Sequence, residues 1–532
     1  MGFSDLDIDA IIDELVHQFA DPLAFFRELV QNAIDAGSGE IEIDIVHETP
    51  DEGPPRAEIT VRDWGEGMTR EIIEEEFLRL FSSGKAEDLT KIGRFGIGFV
   101  SVFAIAPDAV VVETGRHGEY WRVVFSDDRR WELYELDLPV EGTSIRIFKT
   151  MGSQEFDDFY DAARNALDEW CHHARIPVRF EGRDLRREFD VSSKATIEHR
   201  EEGTRIVMGM REEPGGAVGY YNRGLTLWEG RESAWPWVTY KIDSRYLEHT
   251  LTRDRLLADD HFSKASSLLR TLAEDRLPAA LIDELENHAA ADETSPNYAL
   301  YCRYLAHYLT SGRAFRVDWR DRPIFRTLDG RSWTAHEIRA LIRDGDFYRT
   351  RLDDVFVGGV DETCHVVDAS GPARVVEEAF GTTLPLLEEH FFIPRALETR
   401  HPDKGGELRD VVISLLETGG WMPGDVSVAT SDLLPSRWSQ RMAVVIPSTD
   451  RTLVPVDRGR RPGLEVTLDA LDEQHRLVIN VDFETIQTLI ETADREPEWA
   501  GYVLLDGLFA PADSTLARHA TRHRLERTGE KP

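Results

Sequence analysis

The spacing of apolar and polar residues in the first part of the chain predicts a mixed α/β layer. Apolar residues recur at helical spacing over roughly 7–18 and 22–36. Later segments alternate apolar and polar residues as half-buried strands do, among them EIEIDIV (40–46), AEITVRD (57–63) and GTSIRIF (142–148). The two remaining segments, AVVVETG (109–115) and YWRVVFS (120–126), follow the same rule. Helices combined with several antiparallel strands are therefore the predicted architecture of this part.

Changes in this pattern divide the chain into three predicted domains. With 532 residues the chain exceeds what one hydrophobic core usually supports, so about three domains are expected. The chain becomes strongly polar around 181–203, and the segment ETRHPDKGGELRD (398–410) is charged and contains glycine. We therefore predict domains at 1–185, 186–397 and 398–532, the second with helices at about 263–288 and 298–311.

The predicted helix DPLAFFRELVQNAIDAG (21–37) carries a polar stripe beside an apolar face. At helical spacing Glu28, Asn32 and Asp35 fall within about 60° of one another. An ordinary amphipathic helix has such a stripe too. This one has no Lys or Arg, and it offers the oxygen atoms that a magnesium ion and an attacking water would need.

A predicted strand ends in VRDWGEGM (61–68), where Asp63 is followed by a turn at Gly65 and Gly67. An aspartate held at a strand end can accept a hydrogen bond from the 6-amino group of adenine. Guanine has an oxygen at that position and would be repelled. The alternative is a structural Asp-x-Gly turn, which is common.

The segment KIGRFGIGFVSVFAIA (91–106) places Gly93, Gly96 and Gly98 before an apolar run. Glycines let a ligand approach the backbone amides closely, and the free amides at a helix start favour phosphate. We therefore predict a phosphate-binding loop, followed by a helix that begins with the run from Phe99 to Ala106. A tight loop packed on the core would have the same pattern.

Composition disfavours several classes of function. The chain has 62 Lys and Arg against 99 Asp and Glu, a net charge of −37, which repels nucleic-acid backbones. Its three cysteines, Cys171, Cys302 and Cys364, lie far apart and predict no disulfide framework. The acidic start of the chain has no signal core, and no apolar run is long enough for a bilayer. A cytoplasmic protein without nucleic-acid or membrane partners is expected.

The segment CHHAR (171–175) also offers possible metal ligands, His172 and His173. Adjacent residues of a helix point in different directions, and the sequence shows no second pair at matching spacing. We interpret these histidines as structural.

The order of the three motifs, followed by Gly142-Thr143 at the start of a strand, resembles a known ATP-binding domain. It is the GHKL or Bergerat-type domain that gyrase, the 90-kDa heat-shock chaperone, histidine kinases and MutL share. The segments FFRELVQNAIDAG, DWGEGMT and IGRFGIGFVSVFAIA are most similar to the 90-kDa heat-shock family, the HtpG type in bacteria. The resemblance implies an α+β sandwich fold for the first domain.

Two later segments are similar to other domains of that family. YYNRGLTLW (220–228) and the residues 242–273 resemble its αβα middle domain, in which an arginine at the position of Arg253 reaches the γ-phosphate. The segment 476–514 resembles its mainly helical C-terminal dimerisation domain.

The resemblance also implies residue roles. Glu28 would be the general base and Arg253 the arginine finger, with Asn32 on Mg²⁺ and Asp63 on adenine with help from Thr143. A lid would lie at about 69–92. Further ATP-binding residues would be Asp35, Gly67, Met68, Ser83, Gly84, Gly93, Arg94, Phe95, Gly96, Ile97, Gly98 and Phe99.

The chain departs from the family pattern near the phosphates. Glu76 stands where the family has an asparagine, and Ser82 where it has a lysine. Arg94 replaces the usual glutamine of the glycine loop and would restore a positive charge.

The function implied is an ATP-dependent, chaperone-like clamp that acts on client proteins and forms a homodimer through its C-terminal region. Its cofactors would be ATP and Mg²⁺. Two alternatives remain open. A MutL-like DNA-acting clamp would need a basic channel, which the net charge of −37 disfavours. A nucleotide-sensing scaffold in a defence or signalling assembly would hydrolyse ATP slowly.

Overall fold

The fold is taken from a computed structural model of the chain. It describes residues 21–50, 53–82, 98–231, 234–248, 256–291, 295–311, 317–351, 365–392, 404–430, 441–447, 454–455 and 471–509. Two compact units, Met1–Leu277 and Pro278–Pro532, make up the chain. The three predicted domains stay a prediction, and the predicted helix at 7–18 lies outside the described residues.

An eight-stranded sheet is the centre of the first unit, in the order β5-β4-β3-β6-β2-β1-β7-β8. Neighbouring strands are antiparallel except for β1 and β7, which are parallel. The five strands predicted from the alternating segments are confirmed. The strand bounds are β1 Ile41–Glu48, β2 Arg56–Asp63, β3 Ala109–Arg116, β4 Glu119–Ser126, β5 Trp131–Glu135, β6 Gly142–Thr150, β7 Val178–Phe180 and β8 Arg183–Asp184.

Two long helices, α1 (Ala24–Asp35) and α2 (Ser153–Cys171), share one hydrophobic core with this sheet. The stacked rings of Phe25 and Phe26, with centroids 4.2 Å apart, anchor α1 in that core. Residues of β1 and β2 alternate between buried and more exposed positions, as Ile41, Ile43 and Ile45 of β1 show with their buried side chains. Burial of the apolar face of α1 therefore fixes which of its sides faces away from the core.

The apolar run after the glycine loop is helical, but its second part is a 3₁₀ helix. Residues 98–100 are α-helical, and Ser101–Ile105 continue as a 3₁₀ helix. The Ser101 hydroxyl donates to the carbonyl oxygen of Gly98 at 2.5 Å, and Ala106 ends the segment with a φ of 50°. A side chain that binds the preceding turn tightens the helix, which is the physical reason for the difference.

A second sheet of five strands follows, in the order β12-β11-β13-β10-β9. Strands β11 and β12 form a hairpin closed by Arg223 and Gly224, whose φ angles of 51° and 82° are both positive. Positive φ at both central residues defines a type I′ turn. The bounds are β9 Thr196–Glu201, β10 Thr204–Met210, β11 Ala217–Asn222, β12 Leu225–Arg231 and β13 Val238–Ser244.

Helices dominate the region after the second sheet. The helix predicted at about 263–288 is present as α3 (Asp260–Thr271) and α4 (Leu277–Ala289), which a π-helical turn at Leu272–Arg276 joins. The helix predicted at about 298–311 is α5 (Pro296–Thr310). The elements after α5 are β14 Phe325–Arg326, β15 Ser332–Trp333, α6 Ala335–Asp344, β16 Phe347–Thr350, β17 His365–Asp368, α7 Gly371–Phe380, a helical turn at Leu387–His390 and β18 Phe391–Phe392.

The last part of the chain contains a small sheet as well as helices. Strands of this sheet lie in the order β19-β22-β20 and pack with three helices in a second hydrophobic core. Among the described residues, no helix has the length and apolar character needed to cross a bilayer. The elements are α8 Gly406–Thr418, β19 Asp425–Ala429, β20 Ala443–Pro447, β21 Val454–Pro455, β22 His475–Asn480, α9 Glu484–Ala493 and α10 Pro497–Phe509.

Candidate nucleotide-binding site

Strand register in the eight-stranded sheet brings three polar side chains together. Asp63, the last residue of β2, pairs with Thr143 of β6, and Thr143 pairs with Thr114 of β3. The hydroxyl oxygens of Thr114 and Thr143 lie 3.1 Å apart. Thr114 Oγ1 also accepts a hydrogen bond from the Met68 amide at 2.9 Å. One end of the sheet thus presents a carboxylate beside two hydroxyl groups.

The Asp63 carboxylate is buried and held by backbone amides. Only 9% of the residue is exposed, and the Gly65 amide donates to Oδ1 at 2.7 Å. Burial raises the pKa of Asp63, because a charged group loses its hydration there, while hydrogen bonds from the amides of Gly65 and Thr143 act in the opposite direction. The side chain is therefore a fixed acceptor whose charge is not fully compensated.

Two glycines form the wall next to Asp63 because no side chain fits there. A Cβ atom on Gly67, which has a φ of 65°, would lie 2.2 Å from the carbonyl oxygen of Gly115. A Cβ on Gly142 would lie 2.1 Å from the carbonyl oxygen of Asp63. Both positions need a close backbone contact and positive φ, so only glycine is suited to them.

The polar stripe of α1 faces the same region. Asn32 and Asp35 line a cavity at this end of the sheet. Glu28 is 7% exposed, and a Cβ atom on Gly98 would lie 2.7 Å from its Oε2. Gly98, the last glycine of the predicted phosphate loop, is thus pressed against the carboxylate of Glu28.

The cavity has a volume of about 340 Å³, within the range of small-molecule sites. It brings together seven of the residues named from the sequence: Asn32, Asp35, Asp63, Gly67, Met68, Phe99 and Thr143. Of the other predicted residues, Ser83, Gly84, Gly93, Arg94, Phe95, Gly96, Ile97 and Arg253 lie outside the described residues.

Acidic side chains outnumber basic ones among the described residues of the cavity. Asp35, Asp63, Glu66 and Glu76 line it, against the single cation Arg116. Arg116 itself donates to Glu66 at 2.5 Å. Of the predicted departures from the family, Glu76 is therefore placed at the cavity, where it adds negative charge.

Sequence reasoning missed Thr114, which is fully buried and organises the wall through three hydrogen bonds. It also missed Arg116, two residues further along β3. The only available signal was the position of Thr114 directly before Gly115 in AVVVETG. A threonine in a strand is common, so this signal is weak without the register.

His172 and His173 of the CHHAR segment lie close to Glu229 of the second sheet. Ligand atoms of His172, His173 and Glu229 lie within 4.8 Å of one another. His172 Nδ1 is 2.8 Å from the carbonyl oxygen of Asp168, and its Nε2 is 3.2 Å from Glu229. The Nε2 of His173 is 2.8 Å from the ammonium group of Lys241. Protein groups already satisfy these nitrogens, which supports the structural interpretation.

Comparison with protein families identifies a match for the region around the cavity. Residues 25–135 match the family described as histidine kinase-, DNA gyrase B-, and HSP90-like ATPase. This region contains α1, the Asp63 turn and the strands β1 to β5. Residues 25–135 are therefore similar to GHKL-type ATPase domains, which supports the resemblance to that superfamily.

Relatives with a stated activity cover a limited part of the chain. The chaperone protein HtpG of Escherichia coli strain K12 is 26% identical over 217 residues, which are 34% of this chain and 33% of the relative. HtpG of Escherichia coli O157:H7 matches to the same extent. The chain thus spans about a third of the length of the curated relatives it matches.

Proposed function

We propose that the chain binds ATP in this cavity and hydrolyses it. The observation that carries the proposal is the presence of two buried carboxylates with different surroundings. Asp63 is held by amides at the end of the sheet, and Glu28 lies against Gly98 at the start of the helical segment. One carboxylate suits recognition of the base and the other suits the phosphates.

Asp63 would select adenine. Its carboxylate accepts but cannot donate, so it matches the 6-amino group of adenine and repels the 6-oxygen of guanine. Thr143, whose hydroxyl lies 3.1 Å from that of Thr114, would assist at the same edge of the base. Apolar side chains of the cavity, such as Met68, Ile72 and Val112, would contact the ring faces.

Glu28 would act as the general base. It takes a proton from a water molecule whose oxygen attacks the γ-phosphorus, the bond to the β–γ bridging oxygen breaks, and ADP and phosphate leave. Arg253 would stabilise the negative charge that develops during this step. Because Arg253 belongs to a later part of the chain, turnover would depend on its approach to the site.

The residues present fit a magnesium ion. Mg²⁺ prefers oxygen ligands, and the stripe of α1 supplies the amide oxygen of Asn32 at the wall of the cavity. When bound with ATP, the ion would neutralise phosphate charge in a cavity whose described side chains are mainly acidic. We assign Asn32 as its ligand.

Hydrolysis would drive a chaperone-like clamp. Similarity to HtpG over a third of the chain supports this role, as does the net charge of −37, which disfavours DNA. In this proposal residues 186–397 supply Arg253, residues 398–532 form the homodimer, and client proteins are the substrates of the cycle.

The test is steady-state ATP hydrolysis together with nucleotide affinity in the wild type, Glu28→Ala and Arg253→Ala. Both variants are expected to bind ATP and to lose at least about a hundredfold in turnover. Glu58→Gln is the matched control, because it removes a carboxylate from β2 on the face opposite Asp63. An unfolded protein should change the rate and DNA should not. Absent turnover in the wild type, or stimulation by DNA, would contradict the proposal.

A further inference from the structure

The tip of the β11–β12 hairpin packs into the hydrophobic core of the eight-stranded sheet and its helices. Leu225 is fully buried in the same hydrophobic core as α1 and α2. The hydroxyl of Thr226 donates to the carbonyl oxygen of Glu169 at 2.7 Å. A Cβ atom on Gly224 would lie 1.9 Å from the carbonyl oxygen of His173. The hairpin tip is therefore fixed in place and cannot shift without disturbing the core.

From this fixed tip Arg223 forms an ion pair with Asp35. The two side chains are 38% and 29% exposed, and the second oxygen of Asp35 accepts a hydrogen bond from Gln31 Nε2 at 3.1 Å. Asp35 also lines the nucleotide cavity. A side chain of the second sheet thus contacts a wall residue of the candidate site.

The ion pair between Arg223 and Asp35 balances a negative charge in an unfavourable place. Asp35 is the last residue of α1, where the helix dipole disfavours a negative charge, and the last turn of α1 contains no basic residue. Arg223 supplies the missing positive charge from outside the helix. Without it the Asp35 carboxylate would add to the negative potential that Asp63 and Glu76 create around incoming phosphates.

The backbone conformation at Arg223 does not favour an arginine, which points to a role for the side chain. Arg223 has a φ of 51°, in the first central position of a type I′ turn. Asparagine, aspartate and glycine are favoured there, because they tolerate positive φ. An arginine is an unfavourable choice for the turn itself, so the guanidinium group is the feature that distinguishes this position.

We propose that Arg223 is a positioning residue for the nucleotide. It holds and neutralises the Asp35 carboxylate at the wall of the cavity, so that ATP affinity depends on a residue of the second sheet. The inference rests on the proposed function, because it assumes that ATP is the ligand of this cavity.

The experiment uses the full chain and measures the affinity for ADP and ATP calorimetrically, with KM and kcat alongside. Arg223→Asn removes the guanidinium group and leaves an Asn-Gly pair, the best sequence for this turn, so the fold is retained. We expect it to weaken nucleotide affinity and raise KM roughly five- to tenfold, with kcat changed less. Arg223→Lys keeps a positive charge and should restore most of the affinity.

Asp35→Asn provides the second arm. If Arg223 acts through Asp35, adding Arg223→Asn to Asp35→Asn should change affinity less than about twofold. Thermal unfolding without nucleotide checks that each variant is folded. Wild-type affinity in Arg223→Asn, or the same loss in the Asp35→Asn background, would overturn the inference while the proposed function stands. A wild type that binds no nucleotide would overturn both.

Discussion

The nucleotide cavity and the junction between the two sheets are both polar and partly buried, yet their charges are arranged in opposite ways. We define the junction as His172 and His173 with Tyr221, Glu229 and Lys241. At the junction side chains bind one another: Glu229 contacts His172 and Tyr221, and Lys241 contacts His173. In the cavity, backbone amides hold the carboxylate of Asp63.

The pKa values of Glu229 and Asp63 shift in opposite directions, in line with this contrast. Hydrogen bonds from His172 and Tyr221 lower the pKa of Glu229 to about 2, although burial opposes the shift. Burial raises the pKa of Asp63, although two amides oppose it. At the junction, neighbouring side chains balance the negative charge of Glu229. In the cavity, a hydrogen-bond donor of a ligand would balance the charge of Asp63 better than the two amides do. A carboxyl group in a cavity whose pKa is shifted by burial is a candidate for a functional group, whereas structural networks such as the junction shift pKa values as well.

The largest effect should come from the backbone wall of the cavity. Gly67→Ala would place a Cβ 2.2 Å from the Gly115 carbonyl oxygen at a φ of 65°, so we expect a loss of about 3 kcal/mol in the free energy of unfolding. Denaturant titration measures it. Gly118→Ala is the matched control, since Gly118 also has positive φ but no neighbour within 4 Å. Equal losses in both variants would show that the close contact is unimportant.

Asp63→Asn should weaken ATP binding without lowering the stability of the fold. Loss of a charged acceptor is expected to weaken ATP affinity by roughly tenfold to a hundredfold. A raised folded pKa means that ionised Asp63 lowers stability above that pKa, and that this penalty disappears as the pH falls below it. At neutral pH the variant should therefore unfold at the same temperature as the wild type or a higher one.

Calorimetric titration and thermal unfolding check both parts of this prediction. Glu58→Gln on the opposite face of β2 should leave affinity unchanged. Weak binding accompanied by clear destabilisation would instead assign Asp63 a structural role, like that of Glu229 at the junction.

At neutral pH the smallest effect is expected at the junction, where the change is seen as a pH dependence of stability. Burial, then the charges of Lys241 and His172, lower the pKa of His173 from 6.5 to about 4. Between these values the unfolded chain binds a proton that the folded chain does not, so stability is lost as the pH falls from 6.5 to about 4. His173→Gln should reduce this slope by about one proton.

Chemical unfolding at several pH values measures the slope. His261→Gln, at an exposed position of α3 in the same unit, is the control. ATP affinity at neutral pH should be similar in all three proteins. An unchanged slope in His173→Gln would mean that His173 does not stay neutral in the folded state.

Much of the eight-stranded sheet and of α1 could be predicted because the signals are local. The alternating segments identified β1 to β4 and β6, and the helical spacing identified α1 with Glu28, Asn32 and Asp35 on one stripe. The predicted helix after the glycine loop was only partly right, because the bond from the Ser101 hydroxyl to Gly98 tightens it into a 3₁₀ helix. Such a contact depends on one side-chain rotamer, which periodicity does not encode.

By itself, the sequence determined the type of the main elements, the polar stripe of α1 and the order of motifs that marks a GHKL-type ATPase domain. These follow from the periods of helices and strands and from residue chemistry. The tertiary structure decided which distant residues meet. Strand register put Thr114 beside Thr143, and packing of the β11–β12 hairpin put Arg223 against Asp35 and Glu229 against His172. Their sequence separations are large, so only the packed fold brings them together.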